Sequence, residues 1–304
     1  MSATRRLAFS RQELALIAVT AVWGSTFVIV HAAMTVSGPA FFVGVRFCVA
    51  GLLASVVFWR QLRGMRWSEL GAGVAIGAML WLGYGLQTAG LQSISSTSSA
   101  FITAFYVPLV PVLQWLVFRT WPGRFTTIGL VLAFVGLLLV AGPGADVSFN
   151  SGTLLTIVST LPIAIEIILI SYFTKRIALG RLTVTQLFAA GLLSFAAMPV
   201  VGETVPAFSW VWLAAAVGLG MASMVIQLTM TWAQRRVSPT RATIIYAGEP
   251  VWALLFGFFA GDRMTPLGLL GSAAIVSGVL VSELKPKAGA GGDSGPRAAS
   301  KPAD

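Results

Sequence analysis

A chain of 304 residues that is 57% hydrophobic and only 10% charged, with a mean hydropathy of +0.86, departs sharply from the globular norm of about 45–50% apolar and about 25% charged residues. So few charges cannot wet the outside of a soluble protein of this size, which excludes the soluble classes. The net charge of +10 and the pI near 10.8 favour nucleic-acid binding only if that charge forms a patch.

A hydrocarbon core about 30 Å thick takes a helix of roughly 20 apolar residues. In chain order, such stretches are predicted at 14–34, 40–58, 70–91, 99–118, 126–141, 153–173, 185–201, 210–233, 242–260 and 266–282. The joins 35–39 and 261–265 leave room for little more than a turn, and the period-2 alternation of a membrane β-barrel is absent. The expected fold class is therefore all-α integral membrane, with ten transmembrane helices.

With the amino-terminus inside, Arg5, Arg6, Arg11, Arg60, Arg63, Arg66, Arg119, Arg124, Lys175, Arg176, Arg181, Arg235, Arg236, Arg241, Lys285, Lys287, Arg297 and Lys301 fall on one side. Arg263 falls on the other, and Arg46 lies within the second span. Basic residues in short loops orient helices, so this 18-to-1 division points to ten spans with both termini inside. It also removes the support for nucleic acid as a partner. The first span follows a basic lead-in, as a signal peptide would, but its apolar stretch is too long for a signal core and is expected to be retained. The single cysteine, Cys48, sits mid-span as apolar filler and permits no intrachain disulfide. The Gly-, Pro-, Ala- and Lys-rich tail, 284–304, is expected to be disordered, with its basic residues too thinly spread to bind lipid strongly.

Sliding the chain on itself by 142 residues aligns Gln92 with Gln234, Ser96 with Ser238, Ala100 with Ala242 and Ile102 with Ile244. Pro108 then meets Pro250, Leu113 meets Leu255, Gly129 meets Gly271 and Gly136 meets Gly278. Matched prolines and glycines carry weight because they change the backbone. Each repeat holds five spans, an odd number, so the second is inverted relative to the first. The implied organisation is an N-terminal segment 1–11, a first repeat 12–141, a linker 142–152 outside the membrane, a second repeat 153–283 and the tail. Inverted repeats with a midplane site are a recurrent plan of secondary transporters, although channels also use them.

The chain resembles the ten-helix drug/metabolite transporter superfamily, in its EamA-domain branch, over roughly residues 12–283. The resemblance rests on Trp23-Gly24-Ser25, Arg46-Phe47, Pro108, Tyr246-Ala247-Gly248-Glu249-Pro250 and Gly261-Asp262-Arg263-Met264-Thr265. Family members commonly carry Gly-Glu at that last turn, so Asp262 is a conservative departure, and the matching turn of the first half, 119–124, has no acid. The resemblance implies substrate export or exchange across a bacterial inner (plasma) membrane by a multi-pass protein. Similar bacterial members move amino acids and related metabolites, aromatic ones among them.

An ionisable group inside hydrocarbon is costly and is a functional candidate by default. Arg46 lies roughly 10 Å from the outer face, and Glu166 and Glu249 roughly 10 Å from the inner one, at 1.5 Å per residue. Burial disfavours a charged carboxyl, which suits Glu249 or Glu166 to proton coupling or to a substrate amine. Otherwise Glu249 bonds backbone groups freed by Pro250. Arg46 offers a planar fork to a substrate carboxylate, or else is a paired or snorkelling side chain. Proline removes a helix bond and clashes with the carbonyl four residues earlier, so Pro108 and Pro250 are expected to kink the fourth and ninth spans at equivalent points. Pro111, Pro162 and Pro199 also fall inside spans. Trp23, Trp81, Tyr84, Gln87, Phe101, Phe105, Tyr106, Gln227 and Tyr246 suit a pocket that stacks a ring and bonds its polar ends, or serve as ordinary packing and lipid-facing residues. His31 reads as interfacial. Gly129 and Gly136, with Gly271 and Gly278, mark tight packing of the fifth and tenth spans against neighbours or a second subunit, leaving monomer and homodimer both open. The polar stretch 95–99 is expected to cap the fourth span.

No phosphate-binding loop, His-Glu-x-x-His, Cys/His cluster or Gly-x-Ser-x-Gly elbow occurs in the sequence. No ATP drive, metal or other cofactor is therefore expected, and no enzymatic role. The expectation is a secondary exporter of small metabolites, aromatic or other neutral amino acids foremost, working by alternating access with a coupling proton available on Glu249 or Glu166. The alternatives are a proton-coupled exporter of cationic drugs and, further off, an intramembrane enzyme or channel.

Overall fold

The first helix starts where the sequence offers a reciprocal cap. Ser10 accepts from the Glu13 backbone N–H, and the Glu13 carboxylate accepts from Ser10 N at 2.7 Å, satisfying two donors that a helix start leaves bare. The computed structural model describes residues 9–141, 150–259, 265–282 and 284. Arg5 and Arg6, the middle of the linker, the Asp262–Arg263 turn and the tail with its four basic residues lie outside the described residues.

Twelve helices follow in order: α1 (Arg11–Ala33), α2 (Pro39–Leu62), α3 (Trp67–Gly90), α4 (Ser96–Thr103), α5 (Tyr106–Phe118), α6 (Arg124–Ala141), α7 (Ser151–Phe173), α8 (Leu179–Ala197), α9 (Trp210–Ala233), α10 (Pro239–Tyr246), α11 (Glu249–Phe259) and α12 (Pro266–Ser282). No strand occurs among the described residues. Among the described residues, seven segments are long and apolar enough to cross a membrane, α4–α5 counting as one of them, and α6 and α12 are shorter apolar helices.

Two predicted spans are broken helices. The chain leaves α4 at Ala104–Phe105 and α10 at Ala247–Gly248, four residues or fewer before Pro108 and Pro250. Proline cannot supply the N–H that would continue the ladder, so the Ala104 carbonyl instead accepts from Val107 at 2.9 Å in a tighter turn. Both α4 and α10 are eight residues long and serine-capped, with Ser95 accepting from Ser98 N and Ser238 from Arg241 N. Pro111 and Pro162 lie within continuous helices. Pro199 does not: α8 spans Leu179–Ala197 rather than the predicted 185–201. Its amino-terminal turn was missed because Arg181 breaks the apolar run. The residue is accommodated through an ion pair with Glu69 at 2.7 Å and bonds to the carbonyls of Gln61 and Arg63.

After α8 the chain turns at Gly202, whose φ of +70° is in the left-handed region that favours glycine. The turn delivers Glu203 to the start of α2, where its carboxylate accepts from Ala40 N at 2.9 Å and Phe41 N at 2.7 Å. Gly38, at that N-cap, has no side chain to do so, and a negative group there also complements the helix dipole.

The packing partners are nearly unchanged when the first six helices are exchanged for the last six. α7 lies on α3 as α1 lies on α9, and α8 lies on α3 as α2 lies on α9. α6 and α12 pack most extensively of all. A Cβ added at Gly129 would come within 2.5 Å of the Gly278 carbonyl, and one at Gly136 within 2.6 Å of the Gly271 carbonyl. The four glycines therefore meet one another within a single chain.

Candidate functional site

Arg46, on the buried face of α2, is 1% exposed. Its Nε donates to Ser223 Oγ of α9 at 2.7 Å, and its guanidinium carbon stands 5.0 Å from the Tyr84 ring centroid and 5.5 Å from that of Phe47. Its Nη2 has no hydrogen-bond partner, and no carboxylate comes within ion-pair distance among the described residues. Cation–π contact contributes roughly 2 kcal/mol when desolvated, against a penalty of several kcal/mol for a buried ion. The arginine is held but not neutralised.

Glu166, 2% exposed on α7, accepts from Gln227 Nε2 at 3.0 Å. Gln227 in turn accepts from Gln186 Nε2 at 3.2 Å, making a relay of amides across α8, α9 and α7. Glu249, 6% exposed, opens α11 directly beyond the helix break, and its Oε1 has no hydrogen-bond partner. Tyr84 is within electrostatic reach of Arg46, Glu166 and Glu249 alike. Tyr106, 1% exposed, is within electrostatic reach of Glu249, Tyr246 and Tyr84. Trp23 meets Tyr246 edge-on at 5.8 Å, and Gln234 donates to the Tyr246 hydroxyl at 3.4 Å. One buried cation, two buried carboxyls and several buried aromatic rings thus share the interior of the bundle, with Arg46 against Tyr84 and Glu166 against Gln227.

Not every candidate joins this cluster. Phe105 is 37% exposed and stacks edge-on with Phe101 and Phe134, away from the charges. Gln87 donates to Thr103 Oγ1 at 2.8 Å, tying α3 to the last residue of α4. Trp81 is half-buried at the margin of the core. His31 is exposed, with Nδ1 3.1 Å from the Leu91 carbonyl. Ser223 and Gln186 were missed in the sequence. Ser223 gives no signal there, but Gln186 is an amide deep in an apolar helix, the same signal that marked Gln227.

At the end of the bundle rich in arginine, side-chain contacts tie α10 to α5 and to α1. Gln114 Oε1 on α5 accepts from Thr240 N at 3.2 Å and Thr240 Oγ1 at 2.9 Å on α10. Arg241 pairs with Glu13 at 2.7 Å, joining α10 to α1. At the opposite end, α4 and α11 make no contact comparable to that of α5 with α10 among the described residues.

The EamA-like transporter family model matches the chain twice, over residues 11–142 and 150–284. An uncharacterized transporter of Archaeoglobus fulgidus is 31% identical over 277 residues, covering 90% of this chain and 86% of the relative. An uncharacterized inner membrane transporter of Escherichia coli, YedA, is 26% identical over 279 residues, covering 89% of this chain and 90% of its own. A crystal structure with 16% sequence identity superposes with a TM-score of 0.73 over 90% of this chain and 98% of its own, a likeness of fold.

Proposed function

Given that the chain belongs to the EamA-like transporter family and is a membrane transporter, we propose that it exports small zwitterionic metabolites, amino acids foremost, across a bacterial inner membrane. The observation that carries this reading is the buried, unneutralised Arg46 guanidinium beside the Tyr84 ring, with two further buried carboxyls, Glu166 and Glu249, in the same helix bundle. A guanidinium fork suits a carboxylate, a carboxyl suits an ammonium or a proton, and the Trp23–Tyr246–Tyr84 wall suits a ring. A lipophilic cation would meet Arg46 as a like charge, which places the cationic-drug reading second.

The proposed topology is ten spans in two inverted five-helix repeats, N-in and C-in. It is supported by the double family match, the exchangeable packing pattern and the single-sided arginines. The arginine-rich end is then cytoplasmic. With α5 on α10 and Glu13 on Arg241, the cytoplasmic end is the more tightly tied, and among the described residues the outer end, between α4 and α11, has no comparable contact. Alternating access follows if one repeat rocks so that these contacts break and their outer counterparts form.

Counterflow in proteoliposomes against labelled amino acids, nucleobases, sugars and organic cations tests the reading. Exchange of an amino acid supports it; exchange of lipophilic cations alone overturns it in favour of the second. For coupling, Glu249→Gln is expected to abolish proton-dependent flux while the protein remains folded. Unchanged flux across a pH gradient removes Glu249 from that role and leaves Glu166→Gln as the next variant.

A further inference from the structure

Away from the central cluster, the arginine-rich end contains a cavity of about 470 Å³ between the α2–α3 turn and the α7–α8 turn, where Arg66, Ser68, Glu69, Phe173, Arg176 and Arg181 contribute to its lining. Arg181 is already engaged. Its Nη1 lies 2.7 and 2.9 Å from the two Glu69 oxygens, its Nε donates to the Gln61 carbonyl at 2.6 Å, and its Nη2 donates to the Arg63 carbonyl at 2.7 Å. That pair cancels the only negative charge in the lining and fixes one wall.

Two guanidinium groups remain. Arg66 and Arg176 are exposed, and neither makes an ion pair among the described residues. Arg176 lies 4.7 Å over the Tyr172 ring and donates one N–H to its hydroxyl at 3.1 Å, which restricts its rotamers without neutralising it. Phe173 is half-buried beside them. Trp67, next to Arg66, is 87% exposed, and Trp59 and Tyr172 are exposed in the same region. Exposed indole and phenol rings are characteristic of the boundary between headgroups and hydrocarbon. A double cation with an apolar flank at that depth matches a phosphodiester with acyl chains better than a free solute.

We propose that this cavity binds the phosphate of an anionic phospholipid headgroup, held by Arg66 and Arg176. The inference rests on the membrane orientation proposed above but not on the identity of the substrate. An occupied site bridges a turn of the first half to a turn of the second, at the end that rocking must open.

The test uses the intact protein in neutral detergent, with thermal unfolding followed while phosphatidylglycerol, phosphatidylcholine or inorganic phosphate is titrated. The expected result is a saturable rise in Tm with phosphatidylglycerol alone. The double variant Arg66→Gln/Arg176→Gln is expected to need about 30-fold more lipid, the loss of two basic contacts at a membrane surface. Arg66→Lys/Arg176→Lys retains charge but loses the planar forks and the Tyr172 stack, so it is expected to need about 3- to 10-fold more lipid, an intermediate loss that keeps the test valid if the glutamine variant folds poorly. Arg11→Gln/Arg124→Gln removes the same charge at the starts of α1 and α6, outside the cavity lining, and is expected to titrate as wild type. Equal losses in this last variant, an unchanged titration of Arg66→Gln/Arg176→Gln, or saturation by inorganic phosphate at the same concentrations would each overturn the proposal.

Discussion

Replacing Arg46 by methionine separates a substrate ligand from a structural cation. The guanidinium forms one hydrogen bond, to Ser223 Oγ at 2.7 Å, and no ion pair among the described residues. A methionine of similar length removes the cost of burying that charge and leaves the Ser223 oxygen without the donor it now accepts from, a loss of about 1 kcal/mol. Exchanging a buried ion for an apolar residue of similar volume is often neutral or stabilising by about 1–4 kcal/mol, so the variant is expected to unfold at or above the wild-type temperature. Binding of a carboxylate should suffer, because a hydrogen bond to a charged group is worth about 1.5–3 kcal/mol, or roughly 10- to 150-fold in half-saturation. The assay is counterflow in proteoliposomes with an amino acid and with its decarboxylated amine, beside thermal unfolding in detergent. Only the amino acid should lose affinity. A variant that carries both solutes as wild type does, or one destabilised by more than about 3 kcal/mol, refutes the reasoning and makes Arg46 structural.

Gly136→Leu is expected to destabilise the α6–α12 pair by more than about 2 kcal/mol, since even its Cβ would stand 2.6 Å from the Gly271 carbonyl; fluorescence-detected size exclusion after heating reads this out, and wild-type heat resistance would count against the contact. Glu203→Gln weakens the remote cap of α2 and should cost about 1 kcal/mol, a fall in Tm that an equal change at an uncapped surface carboxylate does not reproduce. Glu13→Gln removes the ion pair to Arg241, worth up to about 1 kcal/mol. It should therefore raise labelling of a cysteine placed at Ala242 about fivefold in inside-out vesicles, in a chain whose Cys48 is alanine. No increase would show that the pair does not hold that end closed.

Much of the fold is legible in the sequence because hydrocarbon imposes a simple rule: a backbone in lipid must satisfy its own hydrogen bonds, so apolar runs become helices. The runs at 210–233 and 266–282 coincide with α9 and α12. The rule fails where a polar residue is satisfied by a distant partner. The start of α8 was misplaced because Arg181 reads as a loop residue until Glu69, more than a hundred positions away, is seen to pair with it. Glu203 likewise reads as a loop acid, yet it caps α2. In the candidate site, rarity within apolar helices pointed to Arg46, Glu166, Glu249 and Gln227, but Ser223 is an ordinary small residue until Arg46 reaches it.

The sequence by itself determined the membrane environment and the two prolines, Pro108 and Pro250, before which a helix breaks, because each follows from local chemistry: hydropathy and a missing N–H. Only the tertiary structure decided that the four matched glycines meet each other and that, among the described residues, Arg46 has no carboxylate within ion-pair distance and α4 and α11 have no contact comparable to that of α5 with α10. Those are relations between residues remote in the chain. They depend on how helices cross, which no local pattern encodes.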